Sequence, residues 1–231
     1  MTKNLFTSAL FAGLAAGLIA ALLQFWLVIP LLLEGELYEI GLRAHFAVGH
    51  DTPVQSPAGP AGSLKQDISR HAMTLGFNVI SFTAFALIMV AGMAFAERFG
   101  HRITARTGII WGVAGFTAMH LAPAIGLPPE LPGTIAAEVE QRQIWFLATV
   151  AASTIGIALI ALGKNPLLIP IGIAALAMPH IIGAPQLDTY FGIAPPELAS
   201  LFVTRSLGVA AIAWAIMGSV AAYFWARHST Q

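Results

Sequence analysis

The chain has 231 residues, of which 57% are hydrophobic and only 10% charged, and its formal net charge is zero. Soluble domains carry about 25% charged residues, so this composition excludes an ordinary soluble protein, and the neutral balance leaves no basic footprint for nucleic acid. With no Cys at all, disulfides, thiolate zinc sites and iron–sulfur ligation are excluded.

Apolar runs predict an all-α polytopic membrane protein, a single domain over 1–231. A bilayer crossing needs roughly 18–20 apolar residues. The expected spans are 7–33, 73–96, 107–125, 143–162, 166–182 and 198–225. The first is too long for the core of a secretory signal and reads as a retained span. Spans four and five are joined only by Gly163-Lys164-Asn165-Pro166. As one helix, 144–182 would be about 58 Å long at about 1.5 Å per residue, against a hydrocarbon core of about 30 Å, so two passes fit. The fifth run is short and holds Pro170 and Pro179. Five spans plus a re-entrant segment is therefore the alternative.

Six spans place both termini on one face, with Lys3, Arg98, Arg102, Arg106, Lys164 and Arg227. Short loops rich in Lys and Arg stay in the cytoplasm, so the termini are expected there. Arg205, inside span six, is expected to snorkel outward. The opposite face then holds the connections 34–72, 126–142 and 182–197. The first is a periplasmic loop with His and Glu, whose stretch 51–67 reads as a flexible linker. A short helix over 134–143 would feed span four, with Glu138 and Arg142 paired four apart.

One phrase occurs twice. Ala118-Met119-His120 ends span three, and Gly126-Leu127-Pro128-Pro129-Glu130-Leu131 follows. Ala177-Met178-Pro179-His180 ends span five, and Gly192-Ile193-Ala194-Pro195-Pro196-Glu197-Leu198 follows. A soft ligand and a carboxylate thus recur at the outer membrane edge, a pattern suited to a metal or polycation. His120 and His180 are candidate metal ligands, since ionisable groups within a span are functional candidates by default. Their alternative role is a hydrogen bond to a carbonyl freed by proline. Glu130 and Glu197 are candidate ligands too, although an acid after Pro-Pro is also the ordinary start of a helix. In the first outer loop, His45, His50 and Asp51 offer imidazole and carboxylate, a set suited to divalent cobalt, nickel or zinc. Gln24 and Asn78 are amides within the spans that either line a polar path or join two helices. Small residues crowd spans one and six, a signal for close packing, within the chain or with a partner's helix.

Absences narrow the classes. There is no phosphate-binding loop, no HExxH and no GxSxG, so neither an ATP motor nor an intramembrane hydrolase is expected, and the chain is not expected to be an enzyme.

These segments together resemble the CbtA-type cobalt transporter subunit family over nearly the whole chain. The carrying segments are Ala12-Gly13-Leu14-Ala15-Ala16-Gly17-Leu18 with Gln24 and Pro30-Leu31, Glu36-Leu37-Tyr38-Glu39, and Trp111-Gly112. They continue with Ala122-Pro123-Ala124-Ile125-Gly126-Leu127-Pro128-Pro129-Glu130-Leu131-Pro132-Gly133, Arg142-Gln143, Pro179-His180-Ile181-Ile182-Gly183-Ala184-Pro185-Gln186 and Pro196-Glu197-Leu198-Ala199. The resemblance implies a bacterial inner-membrane subunit for cobalt uptake, linked to cobalamin supply. It also implies a small single-span partner with histidines of its own. No tightly bound cofactor is expected; cobalt(II) or nickel(II) would be cargo. Family members often carry a denser His/Asp cluster in the first outer loop, where this chain has His45, His50, Asp51 and His71. The expected function is a permease subunit for a divalent transition metal. The alternative is a non-transporting scaffold of a metal-uptake complex.

Overall fold

The computed structural model describes residues 2–44, 64–189 and 191–229. Each predicted apolar run is helical, and five helices among the described residues are long and apolar enough to cross a membrane. The chain is a polytopic helical membrane bundle.

Span one is broken. Helix α1 runs Thr2–Leu27, and α2 follows over Ile29–Glu39. Pro30 lacks an N–H, so the carbonyl of Trp26 has no helical partner. Leu31 N then donates to Val28 O at 3.0 Å instead of to Leu27. Arg205 takes up the freed carbonyl, its Nη1 donating to Leu27 O at 3.2 Å. Arg205 was expected to snorkel outward; it anchors the break instead. The expected outer loop is likewise shorter, because α2 carries Glu34, Glu36 and Glu39 and α3 spans Leu64–Arg98.

Helix α4, Gly108–Phe116, passes through a π-helical turn, Thr117–Leu121, into α5, Ala122–Gly126. Helix α6 is Val139–Leu162, α7 is Leu168–Ile182 and α8 is Pro196–Ser229. The core is built by α1, α3, α4 and α8, where Ala12, Ala16, Met93, Ala213 and Met217 are buried. Helices touch backbone to backbone at glycines. A Cβ on Gly13 would lie 2.3 Å from Thr83 Cα, and one on Gly112 2.3 Å from Trp214 O. Small residues permit such approach where lipid supplies no hydrophobic drive between helices. The small-residue stripes of spans one and six are thus occupied within the chain at Gly13, Gly17 and Gly218; around Gly208 nothing lies within 4 Å of an added Cβ.

These contacts also fix direction. Gly13 beside Thr83 and Gly17 beside Val79 make α1 and α3 antiparallel, and Gly108 beside Gly218 with Gly112 beside Trp214 does the same for α4 and α8. Phe11 stacks on Phe224 at 4.8 Å, so the start of α1 meets the end of α8. Helix α7 returns along α6, with Gly172 against Gly156. It packs chiefly on α6 and is shorter than the spanning helices. Its far end lies level with the start of α6, where Trp145 Nε1 donates to Pro179 O at 3.0 Å. Gln186, just beyond α7, donates to Gly126 O at 2.7 Å. The termini therefore share one end of the bundle with Arg98, Arg102, Arg106 and Lys164.

Gln24 on α1 and Asn78 on α3 clasp each other. Asn78 Nδ2 donates to Gln24 Oε1 at 2.9 Å, and Gln24 Nε2 to Asn78 Oδ1 at 3.3 Å. Asn78→Leu alone strands the other amide, and should lower stability by about 1–2 kcal/mol. Gln24→Leu/Asn78→Leu together should recover much of that loss. Thermal unfolding in detergent reads both; a double variant as weak as the sum of the two singles would contradict the clasp.

Candidate functional site

The π-helical turn has a local cause. Pro123 removes the donor that would meet Met119 O in an α-helix. The backbone widens by one residue, a distortion frequent at functional positions. The turn carries His120 into the bundle, against Phe85 of α3 at 6.4 Å, Phe116 at 6.2 Å and Trp214 of α8 at 5.8 Å between ring centroids. His120 Nε2 is buried with no hydrogen-bond partner. Phe85 and Trp214 lie midway along their helices, and His120 sits about 9 Å short of Gly126 at about 1.5 Å per residue. It therefore lies inside the helix end rather than at it, where its place in the repeated phrase put it.

His180 does stand at a helix end. It occupies the last turn of α7, which ends at Gly183 with a φ of 89°. Its ring meets Trp145 edge-on at 5.9 Å. The two histidines thus have separate aromatic surroundings. The repeated phrase does not bring them together.

The carboxylates are differently placed again. Glu130 Oε2 accepts from Arg142 Nη2 at 2.7 Å. This corrects the expected Glu138–Arg142 pair: α6 begins only at Val139, after Glu138, so the expected helix over 134–143 does not form as a unit. Glu197 is exposed in the first turn of α8, where the helix dipole favours an acid. Glu34 pairs with Arg43, and Glu36 with Arg70 at 2.6 Å. Gln24 and Asn78 direct their amides at each other rather than at a channel. His45, His50 and Asp51 lie outside the described residues. His71 stacks edge-on against Phe25 at 4.9 Å. Among the described residues, no three His, Asp or Glu side chains are grouped to hold a metal ion.

Two features were not anticipated. Helix α6, which packs on the π-helical turn, buries Thr149 and Ser153 completely. Thr149 Oγ1 donates to Trp145 O at 2.8 Å, whereas Ser153 Oγ has no partner. Their signal was two hydroxyls four residues apart in an apolar run. The indole Nε1 of Trp214, beside His120, is likewise buried and unpartnered. Buried polar atoms almost always find partners, so these exceptions call for an explanation.

Chemically, the bundle offers one deep neutral-donor position at His120. At the end of the bundle opposite the termini, Glu34, Glu36 and Glu130 are held by arginines, while Glu197 is exposed. Imidazole at that depth suits a borderline transition metal rather than calcium or magnesium.

No curated protein and no solved structure matches the chain. A family model described as probable cobalt transporter subunit (CbtA) matches residues 2–226. With nearly its whole length matched, this membrane bundle belongs to the CbtA family of probable cobalt transporter subunits.

Proposed function

We propose that the chain is the permease subunit through which a divalent transition metal, cobalt first, crosses the bacterial inner membrane in support of cobalamin supply. The observation that carries this reading is His120 Nε2, a buried imidazole nitrogen without a partner at a distorted turn packed against Phe85 and Trp214. An unpaired polar atom there is costly, and a ligand role accounts for its retention. His45, His50 and Asp51 would collect the ion outside. Glu197, Glu130 and His180 would receive it at the outer ends of the helices, and His120 would hold it deeper. Glu130 must then exchange Arg142 for the cation. Gln24 and Asn78 would join the path only by opening their clasp. The termini would be cytoplasmic, since the basic residues gather at their end of the bundle.

The dispersed ligands favour a supplement. A small single-span subunit with its own histidines would complete the coordination sphere that this chain supplies in part. A scaffold role is the competing reading, supported by the same dispersal.

Cells producing the chain, with and without His120→Ala/His180→Ala, separate the two. The double variant should lose cobalt uptake by about tenfold or more at equal membrane abundance; even outer partners of a metal are worth that much. Unchanged uptake would leave the scaffold reading.

A further inference from the structure

A half-open cleft of about 410 Å³ lies between α3, α4 and α6. It exists because α6 and α7 meet the core mainly at the π-helical turn and α5, leaving their other half apart. Its wall runs from Thr107 to Met119 and Trp214. That is about 18 Å of helix at about 1.5 Å per residue, close to one leaflet of a core about 30 Å thick. Ile88, Trp111 and Ala158 line it, and Arg102 is the one charged residue on its wall among the described residues. The wall is mostly apolar, and its His101 is tied to Leu162 O, so it suits an acyl chain better than a hydrated ion.

Arg102 stands at the mouth, on the basic end of the bundle. Around it are Arg98, Arg106 and Lys164, all exposed. Lys164 Nζ lies 4.0 Å from the position of a Cβ on Gly100, so the α6–α7 turn brings its charge to the α3–α4 loop. His101 ties that loop to α6 through Leu162 O at 3.0 Å. None of the four cations has a carboxylate partner among the described residues, and Glu97 is the one described acid at that end.

We propose that this cleft seats one anionic phospholipid, its acyl chain along α4 and α6 and its phosphate held by Arg102 and Lys164. An apolar slot of one leaflet's depth with unpaired cations at its mouth matches that molecule at both ends. A zwitterionic lipid would fill the slot but gain less at the mouth. The lipid would wedge the α6–α7 hairpin against the core where the two do not touch.

Native mass spectrometry of the detergent-purified chain tests this, with phosphatidylglycerol and phosphatidylcholine of identical acyl chains as probes. The wild type should retain one phosphatidylglycerol, preferred about tenfold. Arg102→Gln/Lys164→Gln, which alters only exposed side chains, should reduce the preference to near parity. Ala158→Phe, which fills the slot, should retain neither lipid. Three results would overturn the assignment: no lipid on the wild type, equal retention of both lipids by it, or an intact preference in the charge variant. Lipid retained by a folded Ala158→Phe chain would also overturn it. Should that variant not fold, the charge variant decides alone.

Discussion

Gly112→Val should lower the stability of the protein strongly, whereas Gly208→Val on α8 should not. A Cβ on Gly112 would lie 2.3 Å from Trp214 O and 2.9 Å from Ala215 Cα. Both obstacles belong to the helix body, so no rotamer relieves them. From the other side, a Cβ on Gly218 would lie 2.3 Å from Gly108 O and 2.4 Å from Gly112 N. The α4–α8 crossing is thus closed to any side chain in both directions. Overpacking costs about 1–3 kcal/mol when neighbours can shift, and backbone on both sides puts this site at or above about 3 kcal/mol. In a chain of this size that corresponds to roughly 6–12 °C in Tm. Gly208 has nothing within 4 Å of its Cβ position and should change Tm little. Thermal unfolding of both variants in detergent checks the pair. A Gly112→Val protein as stable as Gly208→Val would contradict the crossing.

His120→Phe should separate packing from function. Phenylalanine keeps an aromatic ring among Phe85, Phe116 and Trp214 and removes the unpartnered nitrogen. Losing an unsatisfied buried polar atom should leave stability equal or raise it by about 1 kcal/mol. Under the proposed transport role, cobalt uptake should nevertheless fall about tenfold or more, since a ligand has gone. A histidine kept for packing alone would give the opposite pattern, with uptake intact. Measuring uptake and Tm on the same preparation distinguishes these outcomes. His180→Phe should have the smaller effect on stability, because His180 contacts Trp145 at the rim rather than three core rings.

The spans were legible because bilayer thickness imposes a length that soluble helices need not meet. The break at Pro30 was legible in principle, but the apolar run continues through Leu33 and hid α2 inside a span. The family was legible in the phrases around Pro129-Glu130 and Pro179-His180. What those phrases place in space was not. Pro123 announces the π-helical turn, yet the depth of His120 depends on how far α3 and α8 extend past it. Glu36–Arg70 joins residues 34 apart, and Arg142 reaches back to Glu130 rather than to Glu138 just before its helix. Such pairs depend on tertiary placement, to which local spacing is blind. Small residues marked the close packing of spans one and six, but only the neighbouring backbones distinguish Gly218, sealed against α4, from Gly208, which is open.

Cobalt influx into proteoliposomes holding the chain alone tests the transport role most directly. Influx above protein-free vesicles, competed by nickel and abolished by His120→Phe, is the expected result. Influx no greater than in protein-free vesicles, or equal influx with wild type and variant, would contradict a path through His120.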